Sequence, residues 1–240
     1  MSIQNYKKAI IVIIAFFLLP FTLRSQQFFR IKADFSIKEL SAQNTGDRLT
    51  TGTLFYDVVS EKLVMDISFP EKETLVFYDS LVYTIVNDQI VNQSSLFDNF
   101  ISSSVYHLIL NNKLQNFGLA DNQYYQKVDI QEQEGKIITE WNPSSTLKGV
   151  TGKILTLNKG NILEAIIFYD KEGNLLSKQN FKDYIFVQGL NIPSEIIHQY
   201  FKKENIGSSK ITKIYSYKNI VLNEMQNNSY YNYNIPHNSK

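Results

Sequence analysis

Residues 28–41, FFRIKADFSIKELS, put Phe29, Ile31, Ala33, Phe35 and Ile37 on one side of an extended chain and Arg30, Lys32, Asp34, Ser36 and Lys38 on the other. A period of two with one apolar and one charged face describes a strand buried on one side only, which is the habit of antiparallel sheets. Working outward, the alternation resumes in residues 48–57 after the Gly46-Asp47 turn. It continues in KLVMDISFP (62–70), where Leu63, Met65, Ile67 and Phe69 share a face and Pro70 ends the strand. Residues 74–78 and 81–86 read as a hairpin around Asp79-Ser80. Five strands follow one another with short turns and no crossover helix, which predicts an antiparallel meander.

At Ser94 the period changes. Leu96, Phe97, Phe100, Ile101, Val105, Leu108 and Ile109 fall at helical spacing, with Ser94 or Ser95 as N-cap and an end near Asn111-Asn112. A short second helical piece is expected over 113–117. Strands then return over 124–132, 136–141, 152–157, 162–169, 175–187, 196–201 and 210–222. The fold class expected is mainly β (α+β): one domain over residues 26–224, an open or half-closed antiparallel barrel of ten or eleven strands with one to three short helices covering its mouth. Residues 225–240, MQNNSYYNYNIPHNSK, are rich in Asn and Tyr and poor in aliphatics, and are expected to form a disordered tail.

The N-terminal 25 residues read as an address. Lys7 and Lys8 precede an apolar run from Ala9 to Phe21, and Thr22-Leu-Arg-Ser25 leads to a small residue at the cleavage point. This is the layout of a secretory signal peptide, short for a bilayer span of about 20 residues, and it predicts export to the periplasm of a Gram-negative cell; the alternative is an uncleaved N-terminal anchor, since Leu23 and Arg24 make an imperfect cleavage box. Without these residues the chain carries 21 basic and 23 acidic side chains. No basic field is left to attract nucleic acid. The absence of cysteine excludes disulfides, thiolate metal sites, cysteine nucleophiles and acylation of an N-terminal cysteine.

Catalytic constellations are missing as well. His107, His198 and His237 have no ligand partner at helical spacing, so no metal is expected. Ser102, Ser103 and Ser104 precede His107, but a triad needs a base and an orienting acid as well. The acids Glu71/Glu73, Glu132/Glu134 and Asp170/Glu172 sit at expected turns, the ordinary place for solubilising charge. Gly149-Val-Thr-Gly152 is too short for a phosphate loop. The chain is therefore read as a non-enzyme without cofactors.

The order of elements carries a resemblance. A signal peptide and FFRIKADFSIKEL are followed by Gly52-Thr-Leu-Phe-Tyr56, KLVMDISFP and the hairpin TLVFYDSLVYTI. Then come a helix, Trp141-Asn142-Pro143, and a paired-strand passage closing on Gly189-Leu-Asn-Ile-Pro193. Over residues 28–222 this resembles the LolA-like periplasmic carriers of outer-membrane lipoproteins. The resemblance implies a monomeric carrier that takes acylated lipoproteins, or another lipid, from an inner-membrane transporter and delivers them to an outer-membrane acceptor. It also implies an Arg-Pro pair after the G-x-L-x-Y element, where the arginine helps a helical lid to close. Here that stretch is Asp57-Val-Val-Ser-Glu61-Lys62, and Lys62 supplies a charge but no planar fork of donors.

Such a carrier needs a continuous apolar trough, because exposing a 16-carbon chain to water costs on the order of 13 kcal/mol at about 0.8 kcal/mol per CH₂. The lining expected from the sheet is Leu54, Tyr56, Leu63, Met65, Ile67, Phe69, Val76 and Tyr78; from the helix it is Phe97, Phe100, Ile101 and Leu108. The same residues would equally serve as plain helix-on-sheet core. An envelope scaffold with a filled interior and, with less support, a periplasmic hydrolase built on His107 or His198 are the competing readings.

Overall fold

The computed structural model describes residues 27–40, 46–95, 100–203 and 208–236, and for 100–104, 202–203 and 208–209 only their backbone. The expected signal peptide lies outside the described residues. Among these residues thirteen strands form one antiparallel sheet, with β1–β6 at Arg30–Leu40, Arg48–Asp57, Lys62–Phe69, Glu73–Tyr78, Leu81–Val86 and Gln89–Ser95. Helix α1, Phe100–Leu110, and two 3₁₀ turns, Leu114–Asn116 and Leu119–Asp121, follow. The second run of strands is β7 Tyr125–Gln133, β8 Lys136–Pro143, β9 Ile154–Lys159, β10 Ile162–Tyr169, β11 Leu175–Val187, β12 Leu190–Lys203 and β13 Ser208–Leu222. A short helix α2, Asn228–Tyr231, is the last element of the described chain.

The spatial order is β6-β5-β4-β3-β2-β1-β13-β12-β11-β10-β9-β8-β7. Two meanders are thus zipped together by the β1–β13 pair, where Phe35 faces Tyr217 and Ile37 faces Tyr215. The chain leaves one edge of the sheet at β6 and begins again at the opposite edge, β7. The connection between the two edges carries α1 and the 3₁₀ turns, which lie across one face of the sheet. Val105, Tyr106, Leu108, Ile109 and Leu110 are all buried there, and only His107 among α1's last six residues is half-exposed. The helix is therefore sunk into the sheet's inner face rather than resting on it.

The open mainly-β architecture expected from sequence is present, with two corrections of detail. There are thirteen strands rather than ten or eleven. One that sequence reading passed over is β6, an almost wholly exposed strand without apolar alternation. Ser94 and Ser95 belong to that strand and cap no helix, and α1 begins at Phe100. Gly52 of the G-x-L-x-Y element earns its place at the β2–β3 register shift, because a Cβ there would overlap the Asp66 carbonyl.

The larger correction concerns the tail, expected to be disordered. Residues 224–236 pack on the outer face of β1–β4. Tyr231 is 1% exposed and joins Phe55, Val64, Val76 and Ile85 in a second core. Tyr230 stacks on Phe55 with ring centroids 4.4 Å apart and donates its hydroxyl to Asp66 at 2.9 Å. The Arg30 guanidinium lies 4.4 Å from the Tyr231 ring, binds Asp57 at 2.7 Å and donates to the Asn228 side chain. Lys62 Nζ donates to the Tyr233 carbonyl at 2.8 Å. These contacts explain why Leu54-Phe55-Tyr56 and Leu63-Val64-Met65 are buried on both faces of the sheet. Replacing Tyr231 by Ala should lower the unfolding free energy by about 3 kcal/mol, measured as a lower urea midpoint at unchanged m-value.

Candidate functional site

On the inner face, beside α1, lies a cavity of about 780 Å³. One wall comes from the first meander: Tyr56 at the end of β2 and Glu61 in the turn that follows it. α1 contributes His107 and Leu108, and the turns after it contribute Phe117, Gly118 and Leu119. The far wall is built from Tyr124, Tyr125, Leu147, Ile154 and Phe168. Its size falls within the range of roughly 300–1,000 Å³ usual for small-molecule sites, and its lining is mostly aromatic and aliphatic.

The cover is tied down at several points. Tyr106 rests between Tyr56 and Tyr217, with centroids 6.1 and 5.9 Å away. Asn158 of β9 donates to the Gln115 carbonyl at 2.7 Å. Phe117 adopts a left-handed backbone, and its ring lies 6.1 Å from Phe168 and 6.3 Å from Phe181. Gly118, also left-handed, brings the chain so close to Leu108 that a Cβ would meet its side chain at 2.9 Å.

Few polar groups face this space. The Tyr56 hydroxyl and His107 Nδ1 are 3.1 Å apart. Burial, with the Glu61 and Asp57 carboxylates behind it, holds the Tyr56 hydroxyl well above the ordinary phenol range, so it stays protonated. Among the described residues no group of three His, Asp or Glu side chains is placed to hold a metal ion. Glu71, Glu132, Glu134 and Glu172 are exposed, and Asp170 closes its turn by accepting from the Asn174 backbone and side chain.

The expected lining is brought together only in part. Tyr56 and Leu108 line the cavity. Leu54, Leu63, Met65 and Ile67 are on the inner face but packed within the core. Phe69, half-exposed at the end of β3, is outside that core. Val76 is corrected: it pairs with Val64 and belongs to the outer core beneath Tyr231, while its neighbour Phe77 takes the inward position. Tyr78 shares Val76's face, exposed at the edge, with Lys62 Nζ 5.0 Å from its ring centroid. Phe97 lies outside the described residues, as do the side chains of Phe100 and Ile101. Sequence reasoning missed the second meander's contribution. The adjacent Tyr124-Tyr125 pair and the alternating Ile154 and Phe168 were the available signal. Lys62 does not stand in for a lid arginine, since it turns to the outer face and the C-terminal segment.

The inner face also carries a row of polar side chains interrupted by Ile166. In register across β8, β9, β10, β11, β12 and β13 run Thr139, Thr156, Ile166, Gln179, His198 and Lys213. Trp141 donates its indole N–H to Thr156 at 3.0 Å. His198 is 1% exposed, with its ring 3.7 Å from that of Tyr200. Burial, helped by the Lys213 charge, pushes its pKa down to about 3.

No protein-family model matches the chain, and no curated protein matches it. Solved structures do. A LolA superfamily protein from Nitrosomonas europaea superposes with TM-score 0.54 at 11% identity, covering 85% of this chain and 90% of the other. A DUF1329 family protein from Desulfovibrio piger gives TM-score 0.57 at 12% identity over 88% and 93% of the two chains. A Vibrio parahaemolyticus domain described as an outer-membrane lipoprotein-sorting protein gives 0.55 at 10% over 86% and 91%. The chain has a LolA-like fold.

His198 makes stability depend on pH in a definite direction. Its folded-state pKa of about 3 lies below the ordinary 6.5, so the unfolded chain takes up a proton first. Its contribution is complete above about pH 6.5 and is lost as pH falls toward 3, at up to about 1.4 kcal/mol per pH unit. Urea titrations at pH 7, 5.5 and 4.5 should show the His198→Leu variant losing less stability on acidification than wild type.

Proposed function

We infer that this protein is a carrier which shields the acyl chains of lipoproteins, or of another lipid, in the cavity under α1 and delivers them to the outer membrane. The observation that carries the reading is the cavity itself: about 780 Å³ of mostly apolar space kept open on the inner face of a LolA-like sheet. A scaffold would gain stability by packing these apolar side chains away from water. At His107 Nδ1 the partner is the Tyr56 hydroxyl, a phenol kept protonated, which is not an activated nucleophile.

Apolar walls suit a cargo whose protein parts vary while its acyl chains are shared, because burial of CH₂ groups is non-directional. Release then requires only an acceptor that buries more of the chain. The signal-peptide pattern of residues 1–25 supports a periplasmic place of work.

A charge placed in the apolar far wall, away from Glu61, should weaken binding, because an acyl chain there would desolvate the ion without giving it a partner. Leu147 and Phe168 are half-buried wall residues, so Leu147→Glu and Phe168→Glu are tolerable to the fold. Titration with a fluorescent fatty-acyl probe should show affinity lowered at least about tenfold in both. Val128→Glu, on the exposed edge strand β7, should bind as wild type does. Equal binding by all four proteins would contradict the cavity as the acyl site.

A further inference from the structure

Gln179 and His198 are the most fully buried polar side chains of the inner face after Thr156 is given its tryptophan partner. They are 0% and 1% exposed and stand opposite each other on β11 and β12. Gln179 Nε2, Gln179 Oε1 and His198 Nε2 have no hydrogen-bond partner. An amide buried without partners costs more than an apolar side chain of the same size, and each such orphan calls for a partner, a water or a ligand group. Here three sit side by side.

Their position relates them to the cavity. Gln179 lies on β11 between Ser177 and Phe181, and its partner on β10 is Ile166, two residues from Phe168. Phe117 reaches both Phe168 and Phe181 with its ring, so it stands over the Ile166–Gln179 pair that separates them. Phe117 is also a wall of the cavity. One aromatic side chain, on a short turn, thus joins the cavity wall to the two rings that flank the Ile166–Gln179 pair.

We propose that Gln179 and His198 form a hydrogen-bonding station for the uncharged polar end of an acyl ligand, a carbonyl adjoined by a hydroxyl or amide N–H. The proposal rests on the carrier reading and adds a ligand class to it. An amide offers one donor group and one acceptor, and the imidazole nitrogen adds a third site, so a carbonyl alone leaves an atom unpaired. A carbonyl with a neighbouring O–H or N–H pairs them all, as in a monoacylglycerol or an N-acylated amine. A carboxylate is unsuited: the imidazole beside it is held neutral, and Lys213, next in the row, already has Glu39 at 3.2 Å. Displacement of the Phe117 ring lets the chain occupy the cavity while its linkage reaches the pair.

The test compares 1-monopalmitoylglycerol with palmitate on the purified protein, by displacement of a fluorescent acyl probe, in wild type and Gln179→Met. Wild type should prefer the glyceride about tenfold or more, and Gln179→Met should lose most of that preference while keeping its affinity for palmitate. Independently of any variant, the His198 Nε2 resonance of wild type should move when the glyceride is added and stay when palmitate is. If wild type binds both equally and the resonance stays, the station is overturned and the carrier reading stands. A resident water that bridges Gln179 and His198 and remains with the glyceride bound overturns it in the same way. If neither lipid binds, both fall together.

Discussion

The crossover between the two sheet edges is the constraint from which the rest follows. Thirteen antiparallel strands, at roughly 4.8 Å each, span about 58 Å of arc, and β6 and β7 sit at its two ends. The 29 residues joining those strands have to pass over one face. An eleven-residue helix covers only about 16 Å of that path. Along that path α1 packs on β1 and β12, between the meanders, and the two 3₁₀ turns continue toward β7. Leu110 and Leu114 of this connection join the core, while His107, Phe117 and Gly118 face the cavity. Tyr56, Leu108 and Phe168 come from three separate parts of the chain and meet only because of this topology.

The outer face solves a different problem. A half-barrel lined with apolar residues inside normally keeps its other face wet, but β2, β3 and β4 carry Phe55, Val64 and Val76 there. The C-terminal segment covers them with Tyr230 and Tyr231 and ties itself to Arg30, Asp66 and Lys62. The stiffness this gives to the first meander matters to the site, because Tyr56 and Glu61 belong to the same strand and turn. Thus the residues that hold the outer strap and those that shape the inner cavity alternate along one strand.

Much of the architecture was legible in the sequence because alternation with period two is a strong signal when one face is wet. FFRIKADFSIKELS shows it at its clearest, and Ile31, Ala33 and Phe35 are indeed the buried positions of β1. Reading failed where the signal was absent or doubled. β6 has no apolar face to show. In β4, ETLVFY is apolar on both sides, so parity alone did not decide between Val76 and Phe77 for the inner position. That doubling was itself a clue that something covers the outer face. It points to the tyrosines of the tail, whose low aliphatic content had suggested disorder. The cavity's far wall was missed because it depends on which strands the topology brings opposite α1, a property of the whole sheet. The Gln179–His198 pair was invisible in sequence for the same reason: only the register of β11 on β12 sets them side by side.

Native mass spectrometry of the protein, purified from a Gram-negative periplasm without detergent and paired with lipid extraction of the same sample, tests the central claim most directly. The account predicts discrete added masses that leave with organic solvent and prove to be acylated. A single bare chain mass, together with no uptake of acyl lipid offered afterwards, would contradict it and leave an envelope scaffold of the same fold as the better description.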